Sequence, residues 1–184
     1  FYKPKDSYRI FGGNSGAPGQ GTNPKSGVTF SYFIPKDRDT LDLSLEIVKN
    51  GTVVRTITNK APENFKSWPG GPSKPAVLPS KPGLNQFTWD CTTEPIPAVD
   101  GVFVLGGLGG HTIPPGLYEA RLKLGEVVIE KDFTLKPDPA ENATQADYDV
   151  QFKAMETISS TITDIHESVT NMRSAKSQLK HYTK

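Results

Sequence analysis

The chain has 184 residues, with 21 lysines and arginines against 20 acids for a formal charge of +1, and 35% hydrophobic residues beside 17 glycines and 16 prolines. That length suits one domain of roughly 100 to 150 residues plus an extension. A low apolar share with so many turn formers fits a small all-β body better than an α/β enzyme built on a buried parallel sheet. The balanced charge provides no basic stripe to track phosphates, which argues against a nucleic-acid partner. No apolar run nears the roughly 20 residues that span a bilayer.

Residues 1–26 are mostly turn formers around Gly12-Gly13-Asn14-Ser15-Gly16, which reads as an irregular arm or linker. Tyr2, Tyr8, Ile10 and Phe11 are too apolar for a dangling tail, so part of the arm is expected on the body. The start Phe1-Tyr2-Lys3-Pro4 has neither an initiator Met nor a signal-peptide pattern, and the chain reads as a piece of something longer. Val28, Phe30, Tyr32 and Ile34, then Leu41, Leu43, Leu45 and Ile47, alternate with polar neighbours in most places, the period of half-buried strands. Asn50-Gly51 supplies a tight hairpin turn before a return strand at Val53, because both residues tolerate positive φ.

Residues 59–81 hold too many prolines for a central strand and read as a long loop carrying Phe65 and Trp68. A strand over 84–90 follows, with Trp89 as the expected core tryptophan. Residues 92–115 form a second loop containing Gly106-Gly107-Leu108-Gly109-Gly110-His111. In the last hairpin Tyr118, Ala120, Leu122 and Leu124 are expected to face the core from one arm, and Val127, Ile129, Phe133 and Leu135 from the other, with a turn at Gly125-Glu126. After Pro137 and Pro139 the period changes to that of a helix, capped by Thr144 and Asp147 and uninterrupted by Gly or Pro to the end.

Two segments, Pro82-Gly83-Leu84-Asn85-Gln86-Phe87-Thr88-Trp89-Asp90 and Pro114-Pro115-Gly116-Leu117-Tyr118-Glu119-Ala120-Arg121-Leu122, each launch an alternating strand from a Pro-Gly turn. With the hairpin over 45–57, they resemble the immunoglobulin-like domain of flagellar hook-capping proteins. They are still more similar to the module that follows the β-propeller in secreted bacterial BNR/Asp-box, sortilin-like "glycosyl hydrolases". The resemblance spans most of the chain, including the helix after Lys136-Pro137-Asp138-Pro139. It implies a mainly β fold, an immunoglobulin-like β-sandwich over 27–136 with a long helix over 140–184. It also implies an extracytoplasmic setting, a propeller domain before Phe1 as partner, and a spacing or contact role; in the resembling proteins a second helix follows and folds back.

The candidate chemistry is sparse, and the expectation is no catalytic, cofactor-binding or metal-binding residue. The Gly106–Gly110 run lacks the Gly-Lys-Ser/Thr ending of a phosphate loop and leads into a strand. His111, His166 and His181 have no second His or Cys at ligand spacing. Asp90 and Asp100 flank a loop but read as structural acids rather than as a glycosidase pair, and Cys91, the single cysteine, has no activating base beside it. The aromatics support a rival reading as a carbohydrate-binding module, with Trp68, Phe65 and Tyr8 as a platform.

The helix carries the remaining signal. Met155, Ile158, Ile162, Ile165, Val169, Met172, Lys176 and Leu179 recur at alternating steps of three and four, the spacing of a coiled-coil seam. Acids Glu141, Asp147, Asp149 and Glu156 lie in the first half, and bases Arg173, Lys176, Lys180 and Lys184 in the second. A second helix or an antiparallel homodimer through residues 144–182, with Ile162, Ile165 and Val169 near its centre, is therefore the expected partner.

Overall fold

The computed structural model describes residues 1–10, 26–38 and 40–182, with the backbone alone at residues 181–182. The Gly-rich centre of the arm, Phe11 and the side chain of His181 lie outside the described residues. The fold is β-rich and carries one C-terminal helix. Its elements are β1 (Ser7–Tyr8), β2 (Val28–Ile34), a 3-10 turn (Lys36–Arg38), β3 (Leu43–Lys49), β4 (Thr52–Thr58), β5 (Gly83–Trp89), β6 (Gly116–Leu124), β7 (Val127–Lys136) and α1 (Gln145–Tyr182). Strands β1-β7-β6-β3-β4 form one sheet in that order, and β2 with β5 forms a second.

Turn chemistry fixes the local pairings. Asn50 and Gly51 take φ of 51° and 79°, the positive values that a two-residue hairpin turn demands. Lys49 is thereby set opposite Thr52, and a register shift follows between Ile47 and Val48. Leu41, expected in the next strand, lies before it and is exposed: Asn59 takes the Leu43 N–H with its Oδ1 (3.1 Å) and donates to the Leu41 carbonyl (3.2 Å). β1 runs parallel to β7, pairing Ser7 with Leu135 and Tyr8 with Lys136.

The alternating strands place their apolar sides in one cluster shared by both sheets. It includes Val28, Phe30, Tyr32 and Ile34 from β2, Trp89 from β5, Leu45 and Ile47 from β3, Tyr118, Ala120 and Leu122 from β6, and Phe133 and Leu135 from β7. Phe133 is its aromatic hub, with Phe30 at 5.6 Å, Tyr118 at 5.7 Å and Trp89 at 6.5 Å between ring centroids. Phe1 packs on the same cluster, 6.3 Å from Phe30.

One strand face departs from the alternation. Val127 and Ile129, expected in the core, are 43% and 37% exposed. The two-stranded sheet reaches β7 at Phe133, through Phe30 and Trp89, and the first residues of β7 lie at the hairpin tip, away from that contact. Alternation describes a strand's two faces, but a face is buried only where another layer covers it.

The helix begins as its sequence indicates. Thr144 donates its N–H and its hydroxyl to the Asp147 carboxylate (2.8 and 2.6 Å), and Asp147 N–H returns to Thr144 Oγ1 (3.3 Å), a reciprocal cap. Those bonds hold the Asp147 carboxyl below its ordinary range. At 38 residues the helix is about 57 Å long.

Candidate functional site

The chemistry-bearing side chains gather around the irregular segment between β5 and β6, residues 92–115. This segment folds back on itself as a flap. Ile113 N–H bonds to the Cys91 carbonyl, Thr93 N–H to His111 and Ile96 N–H to Leu108, each at 2.9 Å. The glycine run is one leg of the flap: Gly110 passes so close to the other leg that an added Cβ would lie 2.0 Å from the Thr93 carbonyl oxygen. Leu108 is buried beneath it.

On one side the flap is tied to β4 and the 59–82 loop. Arg55 donates to the Thr93 carbonyl (2.6 Å) and the Glu94 carboxylate takes the Thr56 N–H (2.5 Å), so the outer edge of β4 is partly covered. Trp68 Nε1 donates to the Val102 carbonyl (2.8 Å), and Val104 N–H to the Gly70 carbonyl (2.9 Å). Both rings pack close against bare backbone: a Cβ on Gly71 would meet the Trp68 indole at 2.5 Å, and one on Gly70 would meet the Phe103 ring at 2.2 Å.

The helix lies along the other side. Gln145 donates to the Pro115 carbonyl at the base of the flap (3.2 Å); Ser159 Oγ meets His111 Nδ1 (3.2 Å); His166 Nδ1 meets the Pro97 carbonyl (2.7 Å); Arg173 donates to the Asp100 carbonyl at the tip (2.7 Å). The arm joins this contact through buried Arg9, which donates to the Ile113 carbonyl (3.0 Å) and to Gln151 Oε1 (2.8 Å) and stacks its guanidinium 4.8 Å from the Tyr148 ring centre.

His111 sits in the middle of this interface, its ring 5.0 Å from Phe152. Nδ1 also meets Thr93 Oγ1 (3.2 Å), while the buried Nε2 has no hydrogen-bond partner among the described residues. Burial pushes the imidazole below its ordinary pKa, opposed by the charge of Glu156. Ser159 and His111 are thus a serine–histidine pair 48 positions apart, which no sequence spacing announces. A nucleophile–base pair takes a third group to orient the imidazole, and Nε2 has none among the described residues; the contact joins the helix to the flap.

The other expected residues fall as follows. Phe65 and Trp68 are half-buried and line one open hollow of ≈ 440 Å3 with Asn64, Lys66, Pro72, Ala98 and Asp100. Lys66 Nζ stands 3.4 Å from Asp100 Oδ2 there. Tyr8 is not among the lining residues; it is 46% exposed on β1, with the Lys136 ammonium 5.8 Å from its ring centre. Trp89 is buried and donates Nε1–H to the Thr92 carbonyl (3.0 Å). Asp90 accepts from the Thr92 hydroxyl (2.7 Å) and N–H (3.3 Å), which shapes the loop entry. Cys91 is buried at φ 60°, and burial pushes its thiol up to about 12, far from the thiolate that nucleophilic chemistry requires.

The helix seam divides. Tyr148 is buried, and Phe152, Ile162 and Val169 are half-buried on the docked side, whereas Met155, Ile158, Ile165, Met172 and Leu179 are 39%, 51%, 55%, 63% and 65% exposed. Among the described residues no helix is long and apolar enough to cross a membrane, and no three of His, Cys, Asp and Glu cluster as metal ligands do. Comparisons with protein-family models, with curated proteins and with solved structures find no match to this chain.

Proposed function

We propose that the chain is an immunoglobulin-like β-sandwich serving as a non-catalytic accessory and spacer module of an exported bacterial propeller protein, and that its work is to hold and present the long helix. The observation that carries this reading is the engagement of the chemistry-bearing side chains. Trp68, Asp90, His111, His166 and Arg173 each bond within the flap or brace it against a loop or the helix, and such groups are not poised for substrate. Strand order supports the sandwich, since two sheets share one core and β6 lies between β3 and β7 as strand F lies between C and G in an immunoglobulin sheet. Tyr118, near the start of β6, donates its hydroxyl to the Pro114 carbonyl four residues upstream (2.7 Å), as the tyrosine corner of that fold does.

The partners on this reading are the preceding propeller domain and a second helix. The test is a panel of glycosides and esters offered to the full chain. The expected result is no turnover, and turnover abolished by Asp90→Asn or His111→Ala with the fold intact overturns the reading. A second reading, carbohydrate binding, draws on Phe65 and Trp68 sharing one hollow with the Lys66–Asp100 pair, because aromatic faces beside polar groups suit pyranose rings. Quenching of Trp68 fluorescence by a glycan, lost in Trp68→Phe, would favour it.

A further inference from the structure

His111 stands where the flap meets the helix, outside the apolar cluster that the two sheets share. Its neighbours come from two elements: Thr93 from the facing leg of the flap, and Phe152, Glu156 and Ser159 from successive turns of the helix. A neutral imidazole carries hydrogen on one nitrogen and a lone pair on the other. With Nδ1 donating to the Thr93 or the Ser159 hydroxyl, each 3.2 Å away, the neutral ring leaves only a lone pair bare at the buried Nε2. Protonation turns Nε2 into a charged donor with no acceptor among the described residues, and an unpaired buried charge costs far more than a bare lone pair. The helix is the removable part of the cover. Lifting it opens the ring to water, while the shared cluster gives up only the half-buried Phe152 among the described residues of the helix.

We infer that the His111 joint is a proton-operated latch: it holds the helix on the flap while the imidazole is neutral and releases it, with both sheets still folded, once the ring is protonated. The inference deepens the presenting role proposed above and rests on it. Burial sets the docked ring below its ordinary pKa, whereas the released ring is hydrated, so the released state binds the proton first and falling pH favours release. Docking is strongest above about 6.5 and weakens from there down to the docked value. The charged groups around the joint leave that sign in place. Glu156 favours the charged ring but is outweighed by burial. Glu94, next to Thr93, is turned to the Thr56 N–H on β4, and Arg55 and Arg9 direct their guanidiniums at the Thr93 and Ile113 carbonyls, so none of the three supplies an acceptor to Nε2. His166 gives its Nδ1 hydrogen to the Pro97 carbonyl, a bond that an added proton on the other nitrogen does not break.

Amide hydrogen exchange of the full chain at pH about 7.5 and about 5, expressed as protection factors, tests the latch, because those values bracket an ordinary histidine. Protection from Tyr148 to about Arg173 is expected to fall by up to about tenfold per pH unit below about 6.5, the limit for one proton. It should also stay well below that of β2 and β5 at acid pH, the mark of local release rather than global unfolding. His111→Phe keeps a ring against Phe152 and takes no proton, so the acid-linked fall should vanish. Glu156→Gln, at an exposed position, removes the charge that opposes burial and should deepen the fall. No fall in the unsubstituted chain, an equal fall in His111→Phe, a shallower one in Glu156→Gln, or helix and strands opening together overturns the latch. High helix protection at both pH values sinks the latch alone, whereas low protection already at about 7.5 sinks the presenting role with it.

Discussion

Trp68 illustrates how a side chain suited to ligand contact becomes a joint. Its indole N–H spans 34 positions to the Val102 carbonyl, and its ring covers Gly71. Trp68→Phe keeps the ring but strands the carbonyl, and should lower stability by about 0.5 to 1.5 kcal/mol, read as a shift in urea midpoint; no shift would mean that the bond is not made in solution. His111 gives the protein a pH dependence with a definite sign. Its pKa is lowered in the folded state, chiefly by burial, so the unfolded chain binds the proton first. Stability from this group is complete above about 6.5 and falls as the pH drops from there to the folded value, below which both states are charged. The groups facing it are Glu156, Ser159 and Phe152 from the helix and Thr93 from the flap. Proton NMR of the His111 ring should give a titration midpoint below 6.5, and a midpoint at or above it contradicts the buried placement. None of these roles was legible in the sequence, because each depends on groups 18 to 48 positions apart that only tertiary closure brings together.

Strands and turns were far more legible, since their signals are local. The Asn50-Gly51 turn follows from the φ that a tight hairpin imposes, and the alternation of Val28, Phe30, Tyr32 and Ile34 shows which side of β2 is buried. Trp89→Ala should cost about 3 to 5 kcal/mol, as emptying a large buried aromatic site does, and Tyr118→Phe about 0.5 to 1.5 kcal/mol by stranding the Pro114 carbonyl; equilibrium denaturation measures both. β1 was not legible, because two residues show no period and their partner strand lies over a hundred positions away. Nor could the sequence divide the helix seam, since flap and solvent faces carry equally apolar side chains. Structure makes Ile162 and Ile165 separable. Ile162→Asp puts a charge on the half-buried side and should loosen the helix from the flap, reported by proteolysis after residue 144. Ile165→Asp, on the exposed side, should leave proteolysis unchanged.

At the scale of the whole molecule, two sheets share a core, a flap rises between β5 and β6, and the helix lies along the flap from base to tip. Isolated helices are marginal in water, so the ordered length of this one reports directly how far the body supports it. The contacts run from Gln145 on Pro115 to Arg173 on Asp100, and beyond Arg173 the described side chains are exposed. Amide hydrogen exchange of the full chain tests this arrangement most directly. Protection should extend from Tyr148 to about Arg173 and fall over the last two turns, and the same amides should lose protection together in His111→Ala. Coil-like exchange from Met155 onward in the unsubstituted chain would contradict the claim that the flap holds the helix.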